Sequence, residues 1–253
     1  MNELILLDIF SYSCMNCIRS FEFIRKINDK YKKYGLETII IHPPEWHFEK
    51  KCDNILRALR KFKINLPVII DKNQNILRKF KINFWPAQIL LRNGRIVYKH
   101  IGEGNYKKLE NNIAAVLKIK SKRIFSSEPV YSKFPALYCG KKKKGKIQKL
   151  NKKLRFGVVY IDNNWIQKRE FIESIGDSSS LAILAKGKIV NFVAESINKR
   201  SIKINIKLNN KKIKAITAKN PQLYKIMELK NENNQELILT ASKNLAIYSF
   251  SFQ

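Results

Sequence analysis

The chain has 253 residues, 45% of them apolar, a length that suits two domains of ordinary size and leaves ample material for a sizeable core. Fifty Lys plus Arg against 20 Asp plus Glu give a formal charge of +30. A field of that size suits nucleic acid, an anionic membrane or acidic partners, while the abundance of Lys, Asn and Ile all along the chain equally fits a compositional bias. No apolar run approaches the roughly eighteen residues that a membrane-spanning helix needs, and four cysteines at uneven spacings exclude a disulfide scaffold.

In chain order, the start "MNELILLDIF" has no basic stretch before its short apolar run, so it reads as a buried core strand and not as a signal peptide. The pair Cys14 and Cys17 follows. Ile18, Phe21, Ile24, Ile27, Tyr31 and Tyr34 then recur at helical spacing, and Gly35 supplies the stop. "LETIIIH" reads as a second strand, and a second helix carries Ile55, Leu56, Leu59 and Phe62 on one face. "LPVIID" is a short strand and "NILRKFKI" a short helix. "AQILL" and "IVYKHI" flank Asn93-Gly94, the strongest short hairpin signal there is. "NYKKLENNIAAVLKI" closes residues 1–119 as an amphipathic helix. Parallel strands with crossover helices, ending in a hairpin and a helix, predict an α/β layer fold.

Past residue 119 the pattern changes. Residues 120–153 lack clear periodicity and read as linker and lead-in; the basic block "GKKKKGKIQKLNKKLR" (Gly140 to Arg155), which overlaps their end, is a candidate for phosphates or lipid head groups that lacks the interleaved aromatics of single-stranded nucleic-acid platforms. Residues 154–253 carry eight short apolar–polar runs with Asn-rich turns such as "LNNKK", which predicts an all-β sandwich, jelly-roll-like domain.

The spacing of Cys14 and Cys17 admits three readings. A structural metal site needs about four ligands, and the nearest candidates to join the pair are His42 and His47, with Glu45 between them. A static disulfide over so short a loop contributes little entropic stabilisation. A redox couple accounts for more. The pair falls where a buried strand gives way to a helix, so Cys14 is placed at a helix N-terminus, where free N–H groups and the macrodipole favour a thiolate. Cys17, one turn on, is placed to resolve a mixed disulfide. Asp8, six residues earlier at the end of an apolar strand, is a candidate buried acid with a raised pKa that relays a proton to or from Cys17. Trp85-Pro86 stands at a strand entrance, where proline is a candidate for the cis isomer. Cys52 reads as a small buried or surface residue, and His100 as structural.

These stretches together resemble the thioredoxin superfamily, in detail its TlpA-like and DipZ-type thiol–disulfide proteins. "LLDIFSYSCMNCIRSF", "IIIHPPEWHFEK", "LPVIIDKNQNIL" and "NFWPAQILLRNGRIVYKHIGEGNY" carry the resemblance over roughly residues 3–119. It implies a thiol–disulfide oxidoreductase with Cys14 and Cys17 as the redox pair, Asp8 as the buried acid, and Pro86 as a cis-proline beside Trp85. Glu45 is implied as an acid approaching the site, and no cofactor or metal is implied. The implied partners are disulfide-containing proteins and a membrane electron donor of the CcdA/DipZ type, in an extracytoplasmic setting. "NNWIQKREFIES", "QLYKIMEL" and "LAIYSFSFQ" resemble the carbohydrate-binding-module-like jelly roll that follows thioredoxin in DipZ-type proteins. Trp165, Tyr224 and Tyr248 are then either a sugar platform or core residues, and the domain's partner a glycan or an anionic surface. The family's extra N-terminal segment and membrane-embedded domain do not precede the first strand. Three readings follow: a fragment, a split gene product, or a soluble member with a separate membrane partner, for which a cytoplasmic setting stays open.

Three other functions compete. Ser11-x-x-Cys14 is similar to the Ser/Thr three before a peroxidatic cysteine, although Leu7 occupies the place of that family's proline. A metallochaperone would use Cys14, Cys17 and a histidine. A glycan- or anion-binding module would be confined to the second half. Nucleic acid is an unlikely partner on this reading.

Overall fold

Strand β1 (Leu4–Ile9) is apolar at nearly every position because it is covered on both faces. In the computed structural model, which describes residues 3–120, 124, 134–228 and 234–253, β1 is the middle strand of the first of two units, Met1–Tyr131 and Ser132–Gln253. On one side it pairs in parallel with β2 (Leu36–His42), which pairs in parallel with β3 (Val68–Ile70). On the other it pairs antiparallel with β4 (Ala87–Arg92), which forms a hairpin with β5 (Arg95–Ile101). The order across the sheet is β3-β2-β1-β4-β5. Asn93 and Gly94, both at positive φ (50° and 74°), make the hairpin turn with the twist that two-residue loops favour.

Four helices cover the sheet: α1 (Met15–Tyr31), α2 (Cys52–Lys61), α3 (Asn75–Lys79) and α4 (Tyr106–Leu117). Alternation along the strands sends Leu4, Leu6 and Leu90 to the face where Ile24, Ile27 and Tyr31 of α1 and Leu109 and Ile113 of α4 pack. Leu7, Ile9, Ile41 and Ile89 point the other way, against Leu77 of α3. Gly35 at φ 94° ends the short 3₁₀ turn after α1. The expected face of α2 is shifted: Ile55 and Ala58 are buried, while Leu56 is exposed, because the helix rests on the small residue one turn beyond Ile55. Tyr34 is exposed as well, since it lies in the 3₁₀ turn after α1 has ended.

Twelve strands form the second unit among the described residues. One sheet runs β15 (Gln222–Glu228), β12 (Ile189–Ser196), β17 (Leu245–Phe252), β10 (Ile172–Ser174), β9 (Trp165–Gln167), with β6 (Leu137–Tyr138) paired to β17. The other runs β14 (Lys211–Ala218), β13 (Ile202–Leu208), β16 (Gln235–Ala241), β11 (Ser179–Ala185), β8 (Val159–Ile161), β7 (Ile147–Lys149). Phe192, Ile247 and Phe250 of the first sheet share one core with Leu181, Ile183, Ile204 and Leu239 of the second, so the unit is a β-sandwich. Alternation is plain on β13, where Ile202, Ile204 and Ile206 are buried and Lys203, Asn205 and Lys207 exposed.

Part of the stretch expected to be linker and lead-in belongs to this sandwich. β6 pairs with β17 and β7 pairs in parallel with β8; strands of two or three residues are too short to show alternation. Between them the turn at Lys141–Lys143 is tied down by main-chain bonds, Lys141 N–H to Lys168 O (3.1 Å) and Lys142 N–H to Arg169 O (2.7 Å). Gly140 allows that approach: a Cβ there would stand 2.2 Å from the Glu170 carbonyl carbon. Two further strands escaped the sequence reading, β9 and β14. The latter is exposed along most of its length and so shows no apolar face. Trp165 and Tyr248 are core residues and form no exposed sugar platform, and the Tyr224 hydroxyl is tied to Asn220 O at 2.6 Å.

Gly140→Ala is expected to destabilise the sandwich by roughly 3 kcal/mol, because the Glu170 main chain cannot swing aside like a side-chain tip. Calorimetry of the full chain should show a lowered sandwich transition and an unshifted transition for the α/β unit.

Candidate active site

The strand register brings the site together. Ile9 pairs with Ala87 on β4 and with Ile41 on β2. The turn leading from β1 to the cysteines, the Trp85-Pro86 peptide just before β4, and the loop after β2 therefore leave the sheet at the same end. In an α/β layer that end, at the carboxyl ends of the parallel strands, is where ligands and reactive groups collect. The Trp85-Pro86 bond is cis, with Pro86 O accepting from Gly102 N–H at 2.8 Å. Trp85 is half-buried and the neighbouring Phe84, unremarked in the sequence, is 58% exposed.

Cys14 is the N-cap of α1, in extended conformation (φ −84°, ψ 116°). Its sulfur accepts the Cys17 N–H at 3.3 Å, a hydrogen bond from the first turn of the kind that stabilises a thiolate. Cys14 is partly exposed and Cys17 fully buried, and both are free thiols. Burial pushes the Cys17 thiol well above its ordinary range, and the adjacent Cys14 and Asp8 push the same way. The two sulfurs are thus chemically unequal: one is open to a partner at a helix mouth, the other is shielded and protonated.

Asp8 is 1% exposed. It pairs directly across from Gln88 in the β1–β4 ladder, on the sheet face that α1 covers, and its Oδ1 accepts from Gln88 Nε2 at 3.0 Å. The same Gln88 amide reaches Ser20 Oγ of α1 at 3.3 Å. Asp8 Oδ2 has no hydrogen-bond partner. Burial raises the carboxyl from 3.8 to about 7, with the Gln88 hydrogen bond opposing the rise. An acid of that strength exchanges protons at neutral pH.

Around the turn ahead of Cys14 stands a group that the sequence reading passed over. Glu49, in the 3₁₀ turn His47–Lys50, is fully buried and accepts from Ser11 Oγ at 2.7 Å and Ser13 Oγ at 2.8 Å. Glu45, the acid singled out instead, is half-buried and donates its main-chain N–H to Glu49 Oε2 at 2.6 Å. The available signal was local: Glu49 lies three residues after Trp46 and folds back to its N–H at 3.3 Å, the spacing of a capping box. Gln88 carried no sequence signal, because only the register sets it opposite Asp8.

His42 is buried, with Nδ1 3.0 Å from Phe10 O and its ring stacked on Tyr12, whereas His47 is exposed. Among the described residues no group of three or more His, Cys, Asp or Glu is placed to hold a metal ion. Cys52 is exposed and Cys139 is buried within the sandwich. His100 sits 3.1 Å from the Asn105 amide in the loop after β5.

Comparisons with known proteins find partial matches in both sequence and structure. Residues 140–252 match a family described as "Thioredoxin like C-terminal domain". The chain is 30% identical over 116 residues to protein DipZ of Mycobacterium tuberculosis, covering 46% of this chain and 17% of DipZ. With thiol-disulfide oxidoreductase ResA of Bacillus cereus it shares 24% identity over 113 residues, 44% of this chain and 62% of ResA. Over part of its length the chain is thus similar to thiol–disulfide proteins of the thioredoxin type. A solved thiol:disulfide interchange protein from Bacteroides sp. shares 17% identity at a TM-score of 0.40, over 46% of this chain and 74% of that one. The chain spans about a sixth of the length of DipZ, the 17% given above.

At this site the Asp8 carboxyl makes a test with a definite sign. Its folded pKa of about 7 stands above the ordinary 3.8, so the folded protein holds this proton more tightly than the unfolded chain. The cost of ionising Asp8 is absent below about pH 4, grows between pH 4 and 7, and is complete above, on the order of 4 kcal/mol. Asp8→Asn should melt with the native protein at pH 4 and at a higher temperature at pH 8. Coincident melting at pH 8 would remove Asp8 as a buried acid.

Proposed function

We propose that the protein is a thiol–disulfide oxidoreductase that exchanges electrons with protein disulfides through Cys14 and Cys17. The observation that carries this reading is the inequality of the two sulfurs: Cys14 partly exposed at the N-cap with a hydrogen bond to its sulfur, Cys17 fully buried with its thiol raised well above the ordinary range. The Cys14 thiolate attacks one sulfur of a partner disulfide; a Cys14–partner bond forms and the partner's other sulfur leaves as a thiolate and takes up a proton. Cys17 gives its proton to Asp8 Oδ2 and attacks Cys14 Sγ. The Cys14–Cys17 bond forms, the partner's second thiolate leaves and takes up a proton, and two electrons have passed to the partner. Trp85, cis-Pro86 and Glu45 face the partner peptide, which the shared end of the sheet supports.

Return of the electrons from a membrane donor of the CcdA/DipZ type, and an extracytoplasmic setting, are parts of the proposal that rest on the resemblance to DipZ-type proteins. No helix among the described residues is long and apolar enough to cross a membrane. For the sandwich, the interior placement of Trp165 and Tyr248 and the exposed lysines of the Lys141–Lys144 turn favour an anionic surface over a stacked sugar. The peroxidase alternative is disfavoured by one contact: the Ser11 hydroxyl, which would assist a peroxide at Cys14, donates to Glu49.

Cys17→Ser is expected to accumulate adducts with partner proteins through Cys14, seen as reductant-sensitive bands on non-reducing gels, because nothing displaces the partner. Cys14→Ser should form none and should have lost turnover with a model protein disulfide. Turnover that survives Cys14→Ser would defeat the scheme.

A further inference from the structure

Glu49 receives five hydrogen bonds. Oε1 accepts from Ser11 Oγ (2.7 Å), Ser13 Oγ (2.8 Å) and Ser13 N (3.3 Å), and Oε2 from Glu45 N (2.6 Å) and Trp46 N (3.3 Å). Its exposure is 0%, and no ion pair reaches it among the described residues. A buried carboxylate without a cation is costly unless donors surround it, and here all five donors are neutral. Three of them come from the turn ahead of Cys14, two from the loop after β2.

The placement matters because Cys14 is itself attached to that turn. Its N–H donates to Ser11 O at 3.1 Å, Ser13 is its immediate neighbour, and both serines are buried. Tyr12, between them, is held against His42 and Phe48. Where the cysteine sulfur sits relative to the Cys17 N–H is thus decided by a turn whose side-chain anchor is a carboxylate thirty-six residues from Ser13. A turn with two serines and no such anchor would be free to rotate its hydroxyls toward solvent and carry Cys14 off the helix axis.

We propose that Glu49 is a positioning residue for Cys14, holding the Ser11–Ser13 turn so that the sulfur stays at the N-cap of α1 in reach of the Cys17 N–H. It acts through the two serines and touches no substrate. The proposal rests on the reading of Cys14 as the nucleophile.

The test uses the full chain in its dithiol form. The double variant Ser11→Ala/Ser13→Ala keeps the carboxylate and removes two of its five donors. Cys14 alkylation by iodoacetamide at pH 7 should slow about tenfold, equivalent to about 1.4 kcal/mol of thiolate stabilisation. The equilibrium with glutathione should move about tenfold toward the Cys14–Cys17 disulfide, about 30 mV. Ser11→Thr/Ser13→Thr, which restores the hydroxyl donors, should recover most of both. Ile24→Val, which thins the core under the same helix, serves as the control: it lowers the melting temperature and should leave both readouts unchanged. Native rates and equilibrium in the folded Ala variant, or faster alkylation, would overturn the proposal, as would an equal effect from Ile24→Val. The underlying oxidoreductase reading is judged separately, by whether the native dithiol forms a Cys14–Cys17 disulfide with oxidised glutathione at all. If it does and the Ala variant matches it, only the role of Glu49 falls.

Discussion

A helix has to begin somewhere, and its first turn always presents main-chain N–H groups with no partner inside the helix. In this protein the atom that meets them is a sulfur. Cys14 Sγ accepts the Cys17 N–H at 3.3 Å, and the chemistry of the first unit is arranged around that single contact. Because β1 enters from the centre of the sheet and α1 leaves across its face, the N-cap stands beside the carboxyl ends of the parallel strands. The cis-proline and the loop after β2 reach the same place by register alone. If the helix began one residue later, Cys14 would no longer be its N-cap and Cys17 would rotate by about 100° around the axis.

Burial then separates the roles of groups that composition cannot distinguish. Cys14 and Cys17 are the same residue type three positions apart, yet the cover of the sheet leaves one reachable and raises the thiol of the other. Asp8, on β1, and Glu49, in the 3₁₀ turn after β2, are both fully enclosed carboxyls, and their surroundings differ in kind. Asp8 has one donor and an unpartnered oxygen, so burial lifts it to about 7 and leaves it able to take a proton. Glu49 is saturated with donors, which suits a fixed anchor. A poorly solvated acid serves chemistry, and a well solvated one serves geometry.

The parts of this arrangement that were legible in the sequence are those encoded by neighbours in the chain. Apolar runs, the stop at Gly35, the Asn93-Gly94 hairpin and the strand-to-helix position of the cysteines all depend on spacings of a few residues. Gln88 and Ser20 were not legible because their meeting with Asp8 needs a strand register and a helix crossing. The sequence "HPPEWHFEK" offered two acids, and only the tertiary turn decides that Glu49 goes inward while Glu45 contributes its main chain. In the sandwich, strands buried on one face declared themselves, as Ile202, Ile204 and Ile206 do. β14 did not, because an edge strand with lysines on its exposed positions has no apolar stripe to show.

That edge follows a physical logic of its own. Among the described residues β14 is the last strand of its sheet, and an edge strand presents a row of main-chain groups through which sheets add unwanted strands. Its exposed Lys211, Lys212 and Lys214 place charge along that row, and Lys207 lies directly across from Lys212, a pairing that costs some stability in isolation. The cost is tolerable where it keeps a second chain from docking. The lysine turn at Lys141–Lys144 is different, because it is tied by its main chain to the 168–170 turn, which carries Lys168 and Arg169. Of the charges gathered there, Lys142 is matched by Glu170 at 3.1 Å and Lys168 approaches Glu173 at 3.7 Å. Lys141, Lys144 and Arg169 add exposed positive charge beside them, on a turn held by its main chain rather than a solvated tail. The high charge of the chain therefore has at least two physical meanings, one protecting a sheet edge and one presenting a surface, and only their positions in the fold tell them apart.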